Sequence, residues 1–520
     1  MDAPAGDLSL IADLRADLTA AGFTVDGLGE LWGEDAAAAL HRAHRAPAIR
    51  ALDARARENE RDAPAATLAR MFVLGLAIDH EALGVALPAL GVAGAIELGL
   101  VTVETGAEAR ILPLVDLRPY AFSDSWGAAQ WWIASDPGEL TRAGALAENH
   151  VLGVGGASLT LSGLMVERSS RLTLDLGTGC GIQAMHASRH SGRVIATDIS
   201  ERALSFAAFN IALNGITNVE TRLGSLFEPV AGEKFDHIVS NPPFVITPRA
   251  EGVPSYEYRD GGMVGDALVA EVVRGTAAHL RPGGIAQLLG NWEYRGHSGR
   301  DSDGLDRVGE WIDGTGLDAW VIEREVQDAA LYAETWIRDG GTRPGAEFDR
   351  LSLAWLDDFE ARGVARVGFG YMLLRMPAAG TNAPGWRRLE RLDGPVPAGL
   401  GATILATVEA HDWQAALDDF ALSRAMLTVA PDVTEERHYW PGDEHPAVMN
   451  LRQGGGFARS YPLDTATAAV VGACDGELSI AAICGALGDL LDVDADELLA
   501  QVLPSVREFV SVGILKRPLD

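Results

Sequence analysis

Lysine is almost missing from this 520-residue chain: Lys234 and Lys516 stand against 40 arginines. Positive charge as a whole is in deficit, with 42 Lys+Arg against 73 Asp+Glu and a formal net charge of −31. The deficit is evenly spread, at −11 for residues 1–164, −9 for 165–376 and −11 for 377–520, so no segment is net basic. A broad phosphate-binding surface is disfavoured, leaving room only for a local arginine groove. The arginine bias reads as GC-rich coding and not as a designed phosphate surface. Cysteine is equally scarce. Cys180, Cys474 and Cys484 form no CxxC pair, which excludes a disulfide framework or zinc finger and suits a reducing cytoplasm. The start, Met1-Asp2-Ala3-Pro4-Ala5-Gly6-Asp7, lacks a basic leader. No long apolar run exists either: the most apolar zone, Met71 to Val103, is broken by Asp79, His80, Glu81, Pro88 and Glu97, so no membrane partner is expected.

What is present is a folding composition, 48% apolar and 22% charged, long enough for two to four domains. Residues 1–60 read as helical, with Leu8, Ile11, Leu14 and Leu18 near helical spacing. From Thr67 to Val115 two short helices precede strands joined by a turn at Glu104-Thr105-Gly106-Ala107, the outline of a winged helix. Three tryptophans between Trp126 and Trp132 are expected to anchor this module on the next. Gly153 to Thr160 reads as a flexible hinge. Strands are then predicted at Leu172–Leu176, Val194–Asp198, Val219–Leu223, Phe235–Ser240, Ile285–Gly290, Ala319–Arg324 and Val367–Arg375, separated by helices except for a helix-poor, charged region before the last. Such alternation predicts a parallel sheet covered on both faces. After Pro377-Ala378-Ala379-Gly380 comes a loop-rich stretch. Helices at Leu463–Ala473, Ser479–Leu487 and Asp496–Val512 and a strand at Gly513–Pro518 then suggest a second winged helix. The domains expected are 1–150, 151–378 and 379–520.

Two motifs carry chemistry. Asp175-Leu176-Gly177-Thr178-Gly179-Cys180-Gly181 follows a strand and reads as a glycine loop for a nucleotide-like cofactor. Its third glycine falls one residue too early for the dinucleotide fingerprint. Asp198 ends the next strand 21 residues after Gly177, placed to accept from ribose hydroxyls. Asp175 is either a direct contact to the cofactor's ammonium or a buried brace for the loop. The second motif, Asn241-Pro242-Pro243-Phe244, stops a strand abruptly because prolines cannot donate to the ladder. It leaves a side-chain oxygen, a proline carbonyl and an aromatic ring at a strand's carboxyl end. Those groups suit holding a flat amino group by its two N–H bonds while the ring covers its π-face.

The core from Leu172 to Met376 resembles the class I S-adenosylmethionine-dependent methyltransferases. Asn241 to Pro248, with Tyr258-Arg259-Asp260-Gly261-Gly262, looks most like the HemK-type release-factor glutamine methyltransferases. The resemblance implies an α/β fold, a seven-stranded Rossmann-like sheet with its last strand antiparallel, here flanked by winged-helix-like α+β domains. It implies S-adenosyl-L-methionine as cofactor, held by Asp175, Gly177, Thr178, Gly179, Gly181, Asp198, Ile199, Ser225, Leu226 and Asn241. Catalysis falls to Asn241, Pro242, Pro243 and Phe244, with no metal. One departure is Gly224-Ser225-Leu226-Phe227, where the family usually carries an acid; a serine bonds an adenine amino group more weakly. The implied acceptor is a planar nitrogen, either a base amine in RNA or DNA (rRNA included) or a glutamine amide in a protein such as a translation factor. The rival is a catalytically silent cofactor-binding regulator acting through its flanking modules. His237 and Cys180 read as structural. Arg249, Arg259 and Arg274 are candidates for a substrate groove, and Arg437 to Pro446 reads as a packed loop.

Overall fold

The computed structural model describes residues 3–4, 6–59, 63–104, 110–138, 140–141, 146–297, 300–301, 303–380, 385–394 and 399–518. Of the turn expected at Glu104–Ala107, all but Glu104 lies outside them. The chain forms two compact units. One comprises 1–162, 168–380 and 385–391; the other comprises 163–167, 381–384 and 392–520.

In the first unit, helices Leu8–Ala20, Val25–Leu40 and Ala46–Asn59 are followed by helical turns at Pro64–Leu68 and Ala69–Val73. A short strand, Ile78–Asp79, then helices His80–Ala86 and Gly91–Glu97 precede strands Val101–Val103 and Arg110–Pro113, which pair antiparallel with one another. A hairpin follows, Asp116–Asp124 against Gly127–Ser135. Its tryptophans meet the core as expected of anchors: Trp131 lies edge-on to His186 at 5.0 Å and Trp126 stacks on His190 at 5.5 Å.

The core sheet is built from β1 (Ser170–Leu176), β2 (Ser191–Asp198), β3 (Val219–Leu223), β4 (Phe235–Ser240), β5 (Leu280–His297), β6 (Asp318–Asp328), β7 (Val364–Arg375) and β8 (Arg387–Arg391). Their order is β3-β2-β1-β4-β5-β7-β6-β8, with a short strand, Arg300–Asp301, pairing β5. All seven predicted strands are present, and β7 runs antiparallel to both neighbours. The count differs from the expected seven because Arg300–Asp301 and β8 extend the sheet to nine strands. β8 pairs parallel to β6 within what read as a loop-rich stretch past residue 378.

Helices α1 (Ile182–Ser188), α2 (Glu201–Leu213), α3 (Ala267–His279) and α4 (Gly304–Ile312) connect these strands. Between β6 and β7 lie two further helices, α5 (Ala329–Asp339) and α6 (Ala346–Arg362). This corrects the expected helix-poor region. Asp328 caps α5 by accepting from Ala330 and Leu331 N–H, and Leu351, Trp355 and Phe359 repeat every four residues along the buried face of α6. The surrounding charges concealed that period. The expected hinge is also ordered: Gly156–Leu164 is a helix, bonded through the Ser158 carbonyl to Gln183 Nε2 at 2.8 Å.

In the second unit, helices Thr465–Gly472, Ile480–Leu491 and Ala495–Ser511 surround a buried cluster that includes Leu427, Ile483, Val506 and Phe509. Strands Asp475–Ser479 and Leu515–Lys516 flank Met426–Val429. Arg437 to Pro446 is no packed loop. It spans the connection of a hairpin, Val433–His438 with Val448–Gln453, and leaves Trp440 69% exposed. Among the described residues no group of acids, histidines and cysteines is arranged to hold a metal, and no helix is long and apolar enough to cross a membrane.

Candidate functional site

The sheet order reverses direction between β1 and β4, and an open α/β sheet has its crevice at such a switch point. Both motifs sit there, because Asp175 of β1 pairs with Val239 of β4 and each motif directly follows its strand. Ser240 is wholly buried and donates through Oγ to the Leu176 carbonyl at 2.7 Å, tying the two strand ends together.

The glycine loop is braced through the N–H groups of Gly177, Thr178, Gly179 and Gly181. Gly177 and Thr178 N–H donate to the Thr197 carbonyl, both at 2.9 Å, and Gly179 N–H donates to Asp198 Oδ2 at 2.9 Å. Gly177, Gly179 and Gly181 have φ of +77°, +54° and +90°, which only glycine adopts without strain. A Cβ on Gly177 or Gly179 meets nothing within 4 Å, so that face is open, whereas one on Gly181 meets Ala207 of α2 at 3.1 Å. The third glycine therefore serves helix packing.

Asp175 lies under the loop, fully buried. Its Oδ2 accepts from Thr178 Oγ1 at 2.5 Å and Ala184 N–H at 2.9 Å, and burial pushes its pKa up to about 7. Of the two roles open to it, this is the position of a brace. Asp198 accepts from Gly179 and Ser200 N–H, one on each oxygen. Burial raises its pKa while those amides pull against the rise.

A cavity of about 480 Å³, within the range of small-molecule sites, opens above the loop. Gly177, Thr178, Gly179, Asp198, Ile199, Ser225, Leu226, Asn241, Pro242 and Pro243 line it; Asp175, Gly181 and Phe244 do not. Phe244 lies edge-on to Trp336 of α5 at 6.4 Å. The wall also includes His150, Gln183, Glu257, Tyr258 and Met263. His150 comes from a segment ahead of β1, Gln183 from α1, and Glu257, Tyr258 and Met263 from the 249–263 loop; of the five, only Tyr258 belongs to a stretch singled out in the sequence.

Asn241 Oδ1 is buried and accepts no hydrogen bond. An asparagine at a strand end ordinarily satisfies this oxygen with the backbone N–H one or two residues on. Prolines at 242 and 243 have no such N–H. The motif thus leaves the side-chain acceptor of a cavity-lining residue without a partner in the chain.

Most of the other candidates are held in structural contacts, although Cys180 also borders the cavity. His237 is buried on β4, bonded to Gln287 at 3.0 Å, and burial pushes its pKa down to about 3. Cys180 is buried and pushed up to about 11 by burial. Arg249 is paired with Asp260, and Arg259 with Asp339 at 2.6 Å, so both hold the 249–263 loop in place. Arg274 is exposed on α3.

The profile of the methyltransferase small domain family matches residues 152–298. Two profiles described as domains of unknown function, DUF7059 and DUF7782, match residues 20–112 and 407–517. The release factor glutamine methyltransferase of Xylella fastidiosa is 39% identical over 134 residues, covering 24% of this chain and 48% of that protein. That of Cereibacter sphaeroides is 37% identical over 164 residues, covering 29% and 58%. The ribosomal protein uL3 glutamine methyltransferase of Bradyrhizobium diazoefficiens is 36% identical over 152 residues, covering 27% and 46%. The chain spans about half the length of these curated relatives. A solved methyltransferase from Pyrococcus furiosus aligns with a TM-score of 0.25 and 17% identity, over 41% of this chain and 77% of that one.

Proposed function

Because the central part of this chain is a class I methyltransferase core of the HemK-like type, we propose that the protein transfers a methyl group from S-adenosylmethionine to a planar nitrogen, foremost a glutamine amide in a protein. The partnerless Oδ1 of Asn241, a residue that lines the glycine-loop cavity, is the observation that carries this reading.

The residues present fit the cofactor. The open faces of Gly177 and Gly179 leave room for it against the backbone, and Asp198 retains lone pairs for ribose hydroxyls. Ser225 and Leu226 border the cavity beyond β3. Bound S-adenosylmethionine supplies an electrophilic methyl on a cationic sulfur. Asn241 Oδ1 accepts one N–H of the acceptor and the Pro242 carbonyl the other, drawing the nitrogen lone pair out of conjugation and holding it in line for attack. This is catalysis by position and by hydrogen bonds aimed at developing charge. The alkylated nitrogen is acidic and loses its proton without a dedicated base. Phe244, packed on Trp336, fixes the far end of the tetrapeptide.

A protein acceptor is favoured over nucleic acid by charge. Arg249 and Arg259 beside the site are spent on Asp260 and Asp339, and Glu257 at the cavity wall is exposed. The names of the curated relatives agree. A base amine is the second reading, supported by the element order of a winged helix across 64–113 and by a similar order across 465–516. In this assignment residues 1–150 and 379–520 are accessory modules around a cytoplasmic enzyme, a setting its three buried free cysteines suit. Incubation with methyl-labelled cofactor in cell extract tests the proposal. Label in a protein glutamine is expected, label in RNA or DNA moves the conclusion to the second reading, and label nowhere leaves the silent regulator.

A further inference from the structure

The hairpin Asp116–Ser135 is a two-stranded sheet whose outer edge would ordinarily be left unpaired. Helix α2 and the residue that caps its end occupy that edge with two asparagines, Asn210 and Asn214, four positions apart. Asn214 Oδ1 accepts from Trp132 N–H at 2.9 Å while its Nδ2 donates to the Trp132 carbonyl at 2.8 Å. Asn210 repeats the pattern on Ala134, accepting at 2.8 Å and donating at 2.9 Å. The two side chains thus present the donor and acceptor pattern of a third strand. Trp132 and Ala134 are two residues apart, so their N–H and C=O groups face the same edge.

The pair is not symmetric. Asn210 has no solvent exposure, and its Nδ2 makes one more bond, to the carbonyl of Cys180 inside the glycine loop, at 2.8 Å. Asn214 instead gives its second bond to the Asn210 carbonyl in its own helix. Gly181, beside Cys180, lies so close to α2 that a Cβ there would stand 3.1 Å from Ala207. One side chain therefore holds the N-terminal hairpin with one amide edge and the loop with its remaining hydrogen.

We propose that Asn210 is a positioning residue that makes the N-terminal module part of the cofactor site, transmitting the docked state of the hairpin to the conformation of residues 177–181. The module is then no detachable recognition arm, because the loop's geometry depends on it. The inference rests on the reading of the loop as the cofactor site, yet the coupling is measurable without a cofactor.

Matched substitutions test it. Asn210→Ala and Asn214→Ala each remove the bonds to one hairpin residue, but only the first releases the loop. Amide hydrogen exchange over 176–184 should accelerate in Asn210→Ala and stay at the wild-type rate in Asn214→Ala. Calorimetric titration with S-adenosylhomocysteine should show affinity about tenfold weaker for Asn210→Ala and within about twofold of wild type for Asn214→Ala. If Asn210→Ala yields no folded protein, Asn210→Ser and Asn214→Ser, which keep a small polar group, are compared in the same way. Equal effects from both positions, or none from Asn210, overturn the proposal. A wild-type protein that binds no S-adenosylhomocysteine removes the cofactor reading instead, and the exchange comparison still decides the coupling.

Discussion

Ser240 Oγ donates to the carbonyl of Leu176 at 2.7 Å, and this buried bond sets the end of β4 against the end of β1. It spaces the Asn-Pro-Pro motif from the glycine loop. Ser240→Ala is expected to cost about 1 kcal/mol of stability and to weaken S-adenosylhomocysteine binding severalfold, measured by thermal denaturation and calorimetry. Unchanged affinity would show that the strand ends keep their spacing without it.

Asn241 Oδ1 has no partner of its own, so its removal leaves no protein group newly unsatisfied. Asn241→Ala should therefore fold and bind cofactor as wild type does while turnover falls by about 100-fold or more. Normal turnover on the true acceptor would remove Asn241 from the mechanism.

Gly179 combines φ of +54° with an open face on the cavity. Gly179→Ala should lose about 1–2 kcal/mol to backbone strain and place a methyl in the cavity proposed for the cofactor. Cofactor affinity should fall much further than stability does, as a melting curve with and without S-adenosylhomocysteine would report.

Asp175 ties pH to stability. Its ordinary value is 3.8, and burial raises it to about 7 in the folded chain. Between those values the folded state keeps a proton that the unfolded state has released, so this group lowers stability as pH rises through that window. Asp175→Asn carries no charge to bury, and its side-chain oxygen can still accept from Thr178 and Ala184. The variant should melt above wild type at pH 8, by about 4 °C for a chain of this size, with the difference vanishing near pH 4. A constant offset across the range would contradict the assignment.

Tyr332 of α5 accepts at its hydroxyl from Ile246 N–H at 2.9 Å and from Asn291 Nδ2 at 2.8 Å, fixing the chain just after the tetrapeptide. Tyr332→Phe leaves both buried donors unpaired, at a cost of about 1–3 kcal/mol. The rate constant should drop while cofactor affinity holds, because the loop that presents Asn241 is loosened and the glycine loop is untouched.

Much of this site was legible in local sequence because its parts are backbone devices. Gly177 and Gly179 announce left-handed turns, Asp198 announces a strand end, and consecutive prolines announce where β4 stops. The misses have different causes. The repeat of Leu351, Trp355 and Phe359 was hidden among charges, so α6 went unread. Arg387–Arg391 has no apolar alternation, and it is a strand only because β6 presents an edge for it. Glu257 and His150 reach the cavity through loop paths that no short pattern encodes.

The residues alone determined where seven of the strands lie, the glycine turns and the partnerless oxygen of Asn241, since each depends on neighbours one to four positions away. Three-dimensional packing decided what those residues could not: that Asp175 braces the loop from below, that Phe244 turns to Trp336, and that Asn210 joins the hairpin to Cys180. Those outcomes rest on contacts between segments as many as 92 residues apart, such as Phe244 with Trp336. At that separation chain connectivity imposes no geometry, and only burial and hydrogen-bond satisfaction across the whole fold choose the partner.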